Sequence, residues 1–177
     1  MSLYQRNVAS LSEVIALRNL SYVTNGHERQ KLDLYLPEHG KDLPLIIWIH
    51  GGAFRLGSKE GSGDDPLPFH YLPQGYGLAS INYRLSHHAI FPAQIEDCNA
   101  AVRWLRAHAA RYRLDPARFA AWGPSAGGHL SAMLGTTGHT TEYAVGEYLD
   151  VSSKVQAVVD YFGPTDFLQM DTQRLPD

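Results

Sequence analysis

The sequence predicts an α/β fold: a mostly parallel sheet with helices on both faces, entered through an N-terminal antiparallel hairpin. Three observations predict it. The run Leu45-Ile46-Ile47-Trp48-Ile49 is apolar on consecutive residues, as in a parallel strand covered on both sides. A long amphipathic helix follows, with Ile95, Cys98, Val102, Leu105, Ala109 and Tyr112 along one face. Strand and helix signals then keep alternating, which calls for crossover connections.

Each element has its own signals. Ser21–Thr24, the turn pair Asn25-Gly26, and Lys31–Leu36 with Leu32, Leu34 and Leu36 on alternate positions predict a hairpin that Pro37 closes. Residues 1–19 are expected to form a leader or extension to a single domain spanning 1–177. After Leu45–Ile49, a loop rich in Gly, Asp and Pro (Gly57–Pro68) leads to a short helix near Phe69–Leu72, and Leu78–Tyr83 reads as a strand. The long helix is expected over Ala93–Tyr112, with Pro92 before it and Glu96-Asp97 in its first turn; Glu96, Asn99, Arg103 and Arg106 form its polar face. Arg118–Trp122 is the next strand, Ala126–Leu134 a helix, and Val155–Phe162 a last apolar strand.

Composition limits the function classes. The chain has 177 residues, 44% hydrophobic and 19% charged, with a net charge of −3. That hydrophobic content excludes a disordered chain. Without a basic stripe there is no footprint for nucleic acid, and no apolar stretch approaches the ~20 residues of a membrane span. Cys98 is the single cysteine, so an internal disulfide and a cysteine-based zinc site are excluded. No signal peptide is visible, which favours the cytoplasm. No cofactor or metal is expected. His87-His88 reads as an exposed loop pair, Cys98 as core, and Trp48, Trp104 and Trp122 as packing residues.

The strongest chemical signal is Gly123-Pro124-Ser125-Ala126-Gly127, set where a strand gives way to a helix. A serine in so tight a turn takes strained backbone geometry and needs small neighbours, and the helix start aims free N–H groups at charge developing beside its hydroxyl. The sequence lacks the Gly-Lys-Ser/Thr of a phosphate loop. A second signal is His50-Gly51-Gly52-Ala53-Phe54, directly after the buried strand. There two glycines let backbone amides face the mouth of the sheet, where open α/β folds bind ligands. Together with the N–H of Ala126, these amides could hold an oxyanion.

With these motifs the chain resembles the α/β-hydrolase superfamily. Within it the similarity is to the hormone-sensitive-lipase-like esterases and the feruloyl and acetyl-xylan esterase group. The resemblance also rests on Leu32-Asp33-Leu34-Tyr35-Leu36-Pro37, Ile81-Asn82-Tyr83-Arg84-Leu85, Phe91-Pro92-Ala93-Gln94, the extension Gly128-His129-Leu130, and Phe162-Gly163-Pro164-Thr165-Asp166. It implies that Ser125 is a nucleophile acting through an acyl-enzyme on small, aryl or acetyl esters. Gly51, Gly52, Ala53 and Ala126 would surround the oxyanion hole, while Asn82-Tyr83-Arg84 and Asp97 would be scaffold. An amide or formamide hydrolase on the same framework, as in arylformamidases, is the runner-up.

The superfamily places its acid and then its histidine after the serine. Only His129 and His139 follow Ser125, and no acid lies between Ser125 and either. His129 reads as a packed helix residue. Asp160 and Asp166 are possible acids in a variant layout, but neither has a histidine after it. The triad acid and histidine are therefore expected C-terminal to this chain, together with the fold's last two strands. The chain itself reads as a truncated or cleaved portion of a longer esterase, or else as a non-catalytic scaffold. An open Val155–Phe162 strand would pair with a C-terminal complement fragment or with a second copy.

Overall fold

The computed structural model describes residues 13–61 and 66–173. Among these residues six strands form one sheet in the order β1-β2-β4-β3-β5-β6: Val14–Ser21, Lys31–Pro37, Leu43–Ile49, Gly77–Ile81, Leu114–Pro124 and Ala157–Tyr161 for β1 to β6. β1 with β2 and β2 with β4 run antiparallel, whereas β4–β3, β3–β5 and β5–β6 are parallel. The expected α/β sheet with an antiparallel N-terminal entry is present.

Side chains along β3 alternate between two cores. Leu45, Ile47 and Ile49 join the larger cluster, under helices α1 (Ala93–Ala107) and α2 (Ala126–Thr137), while Ile46 and Trp48 join a smaller one with Leu67, Leu72 and Leu78. Both long helices thus cover one face. Among the described residues the other carries a 3₁₀ helix, Phe69–Gln74, and its flanking loop. A four-residue helix, α3 (Met170–Gln173), ends the described chain.

Three expectations shift. The first strand is Val14–Ser21 rather than Ser21–Thr24, so β1 takes up residues 14–19 of the stretch expected as a leader; residues 1–12 lie outside the described residues. β1 is an edge strand with most side chains exposed, so it lacks the alternation that marks β2. Helix α1 stops at Ala107 instead of Tyr112. The chain continues in turns to Arg113, whose left-handed φ of 58° lets Leu114 N–H reach the Ala109 carbonyl. Ala109 and Tyr112 stay buried, so the apolar stripe holds beyond the helix.

The polar face of α1 is also only partly polar. Arg103 is 1% exposed, with its guanidinium donating to the carbonyls of Val145 and Glu147, and Asn99 is buried too. The loop after α2 folds back over this face and supplies the acceptors. The Glu147 carboxylate in turn accepts from Thr24 N–H and Oγ1 in the hairpin loop, tying three distant segments together.

Candidate active site

Ser125 stands between β5 and α2 with φ 53° and ψ −121°. For a residue with a Cβ this is a sparsely populated region that persists only where surroundings enforce it. The enforcing contacts are visible. Ser125 N–H donates to the Tyr161 carbonyl of β6 at 2.8 Å, and the Ser125 carbonyl accepts from His129 N–H at 3.0 Å. The flanking glycines are required by space. A Cβ on Gly127 would lie 1.9 Å from the Ile49 carbonyl oxygen, and one on Gly123 would lie 2.3 Å from the same atom.

The second motif meets the first across the end of β3. A Cβ on Gly51 would sit 3.0 Å from the Pro124 carbonyl and 3.5 Å from Ser125 Cβ, so the loop backbone runs directly past the serine. Gly52 has φ 113°, and Ala53 and Phe54 have φ 52° and 59°, a run of positive angles that turns the chain sharply. The amide of Ala126 opens α2 and, like those of any first helical turn, has no acceptor within its helix. Ser125, Gly51, Gly52, Ala53 and Ala126 are thus gathered at one end of the sheet.

His50 is 2% exposed and is held on all sides. Its ring stacks on Tyr83 at 4.4 Å and 13°, and its carbonyl accepts from the Tyr83 hydroxyl at 2.9 Å. Arg29 Nη2 contacts its Nε2 at 3.0 Å, and its Nδ1 lies 2.7 Å from the Gly51 carbonyl. Burial pushes the imidazole down to about 4, opposed by the Gly51 bond and helped by the Arg29 charge, so the ring is neutral at pH 7. Beneath, Arg84 pairs with buried Asp97, which also accepts from Arg84 N–H and Gln30. Farther along the loop, Lys59 is 4% exposed at its side chain and pairs with fully buried Asp33 at 2.9 Å. Residues 50–59 are therefore pinned at both ends. Arg29, Gly57 and Lys59 carry this support and were not singled out in the sequence; a charged residue in a hairpin loop or after a glycine has no local signature.

The remaining candidates fall into structural roles. Nδ1 of His129 lies 2.8 Å from the Pro164 carbonyl, and its ring packs edge-on against Phe54 and Phe167. His139 is exposed beyond the end of α2. Asp160 Oδ1 accepts from Gly163 N–H, and the Asp166 carboxylate accepts from Leu168 N–H and Gln169 Nε2. Among the described residues, none of these groups shares a hydrogen bond with the Ser125 hydroxyl.

His88 does meet a carboxylate, brought from the hairpin rather than from helical spacing. Ligand atoms of His27, Glu28 and His88 lie within 4.8 Å of one another. However, Nδ1 of His27 accepts from Arg29 N–H and Nδ1 of His88 from Leu85 N–H. Each neutral ring then carries its proton on Nε2, which leaves no free lone pair for a metal. Among the described residues no helix is long and apolar enough to cross a membrane.

Comparisons with known proteins place the chain among esterases. The BD-FAE family profile matches residues 32–176. The chain is 35% identical over 133 residues to a probable carboxylic ester hydrolase, LipM, of Mycobacterium tuberculosis, covering 75% of this chain and 30% of that protein. To Esterase LipC of the same organism it is 34% identical over 132 residues, covering 75% and 32%. The chain thus spans about a third of the length of these curated relatives. A solved truncated form of a carbohydrate esterase from gut microbiota superposes with a TM-score of 0.82 and 36% identity, over 92% of this chain and 61% of that one.

Proposed function

Because the chain belongs to the BD-FAE family of α/β-hydrolase esterases, we propose that it carries the nucleophile half of a serine carboxylic-ester hydrolase. Ser125 attacks the ester carbonyl, and its hydroxyl proton passes to a histidine outside residues 1–177. The resulting alkoxide is held by amides of Gly51, Gly52, Ala53 and Ala126. Collapse expels the alcohol, which takes the proton from that histidine, and leaves an acyl-serine. Water then adds to the acyl-serine by the same route and releases the acid. An orienting carboxylate beside the histidine completes the set.

The observation that carries this reading is the strained Ser125, at φ 53°, facing the Gly51 backbone. With ψ −121° the residue lies outside the left-handed helical region that ordinary turns use, and strain of this kind gathers at functional sites. The exposed side of β6 favours an external source for the base: β6 ends the sheet order, and Val158, Val159 and Tyr161 are 37%, 41% and 52% exposed. The rings of Phe54, His129 and Phe167 cluster at the first turn of α2, the helix that follows Ser125; an aromatic cluster there would suit the flat acyl or alcohol group of an aryl ester.

The test is hydrolysis of 4-nitrophenyl acetate and a hydroxycinnamate ester by a polypeptide that extends beyond residue 177, with N-formylkynurenine alongside to separate ester from formamide chemistry. Ester turnover that Ser125→Ala abolishes is the expected result; full activity in Ser125→Ala refutes the assignment. The non-catalytic reading is specific to residues 1–177 alone. It predicts turnover lower by several orders of magnitude than that of the longer chain, with only the residual ~10³–10⁴-fold over water that binding and an oxyanion hole sustain without a base.

A further inference from the structure

We propose that Arg29 is a positioning residue for the oxyanion loop, acting through the ring of His50 on the Gly51–Gly52 peptide. The proposal rests on reading those amides as oxyanion donors. Arg29 sits in the hairpin loop between β1 and β2, far from Ser125 in sequence, and no motif includes it.

The chain of contacts is short. Arg29 Nε donates to the Tyr83 carbonyl at 2.8 Å, and Nη2 faces the Gly57 carbonyl at 3.0 Å, the Asn82 Oδ1 at 3.3 Å and the His50 Nε2 at 3.0 Å. A guanidinium has donors and no acceptor. His50 Nε2 must therefore be the unprotonated nitrogen, and the ring's proton resides on Nδ1. That proton is donated to the Gly51 carbonyl at 2.7 Å.

The Gly51 carbonyl and the Gly52 N–H belong to one planar trans peptide and point in opposite directions. Anchoring the oxygen against His50 thus aims the Gly52 N–H away from the ring. With the other tautomer, Nδ1 and the carbonyl would be two acceptors facing each other, and the peptide would rotate. Gly57 seals the arrangement. At φ 94° its Cβ position lies 2.5 Å from the Gly51 oxygen and 2.6 Å from His50 Nδ1, so only glycine fits over the hydrogen bond. The same Gly57 offers its carbonyl to Arg29, so one guanidinium fixes both the ring and the cover above it.

This arrangement also accounts for an arginine at this position. A side chain that only filled space between the hairpin and β4 would not need donors aimed at an imidazole nitrogen and two loop carbonyls. Lysine could supply the charge and one of these bonds, but not the planar fork.

The experiment has two arms. In the first, the uniformly ¹⁵N-labelled 177-residue chain is compared with Arg29→Met and Arg29→Lys by NMR, the histidine ring nitrogens reporting the tautomer and the backbone amides the exchange. The native His50 is expected as the pure Nδ1–H tautomer from pH 5.5 to 8. In Arg29→Met it becomes a tautomer mixture, and the Gly52 amide exchanges at least about tenfold faster while remote core amides keep their protection. Arg29→Lys is expected between the two and serves if Arg29→Met does not fold.

In the second arm, ester hydrolysis by the longer polypeptide is expected to lose about 10- to 100-fold in kcat with KM within about twofold, as for a donor displaced but not removed. Partial recovery in Arg29→Gly on adding guanidinium ion is expected too. An unchanged His50 tautomer with unchanged Gly52 exchange in a folded variant overturns the proposal. So does a loss confined to KM. If Ser125→Ala retains activity, the esterase reading falls, yet the NMR arm still decides whether Arg29 sets the tautomer and the peptide.

Discussion

Acid should weaken this fold through His50 before it protonates most carboxylates. His50 is 2% exposed and its protonation is displaced from 6.5 to about 4, chiefly by burial. In the unfolded chain the ring titrates normally, so between those values the unfolded state binds the extra proton. Stability is therefore fully present above pH 6.5 and is lost as pH falls toward 4. Moving from about pH 7.5 to about pH 5 shifts the binding balance enough to cost about 2 kcal/mol, a large share of a typical domain's margin. Urea unfolding of the 177-residue chain at a series of pH values measures it. Two other groups act in the same direction: His88, lowered by desolvation with His87, His27 and Arg29 nearby, and Glu60, which lies at about 2 because hydrogen bonds from Lys59 and Ser58 outweigh its burial. Glu60 acts only below its ordinary 4.5, and the His88 contribution is common to a His50→Asn control, whose side chain keeps a donor for Gly51 but does not titrate. The wild type should lose about 2 kcal/mol more than this control over the interval. Parallel curves for the two proteins would refute the buried neutral histidine and the tautomer argument that rests on it.

Ser125→Gly is expected to raise stability by about 1 kcal/mol, because glycine adopts φ 53° without the Cβ clash, whereas Ser125→Ala should not; thermal melts compare the two. Gly127→Ala should cost more than about 4 kcal/mol, since its Cβ would lie 1.9 Å from the Ile49 backbone oxygen and neither β3 nor α2 can yield locally; soluble yield and urea midpoint read the loss. Asp97→Ala leaves Arg84 and Gln30 without their shared acceptor at a 1% exposed position and should cost about 3–5 kcal/mol, which Asp97→Asn recovers only in part.

Legibility from the sequence divides along physical lines. β3, α1, β5 and the turn at Ser125 were readable because each depends on neighbours in sequence: consecutive apolar residues, helical spacing, or small residues flanking a tight turn. β1 was missed because an edge strand with exposed side chains needs no strong pattern, and its pairing partner β2 defines it. The end of α1 lies earlier than the stripe suggests because buried Ala109 and Tyr112 continue it through the turns after Ala107. Arg103 looked like a solvent residue because the carbonyls that receive it come from residues 145 and 147. Of the proposed site, Ser125 and Ala126 belong to one local motif and Gly51, Gly52 and Ala53 to another, and the structure runs the Gly51 backbone past Ser125. Their supports, Arg29 with His50 and Lys59 with Asp33, join residues 21 and 26 positions apart, and no local period connects such pairs.

The two halves of the site are built on opposite principles, and this explains why they need different neighbours. Ser125 is held in an unfavourable backbone conformation by bonds at both of its peptide groups, one to β6 and one within α2. Its placement therefore depends on β6 staying in register beside β5, where Pro124 pairs with Tyr161. The loop 50–57 instead uses glycines and side-chain hydrogen bonds, anchored on the far side by Arg29 from the hairpin and by Tyr83 from the segment after β4. Slippage of β6 would release the serine but leave the amides in place, and loss of Arg29 would do the reverse. The proposed reaction needs both within a few tenths of an ångström and so would draw on both edges of the sheet; on this proposal the antiparallel N-terminal hairpin positions the site as well as closing the fold.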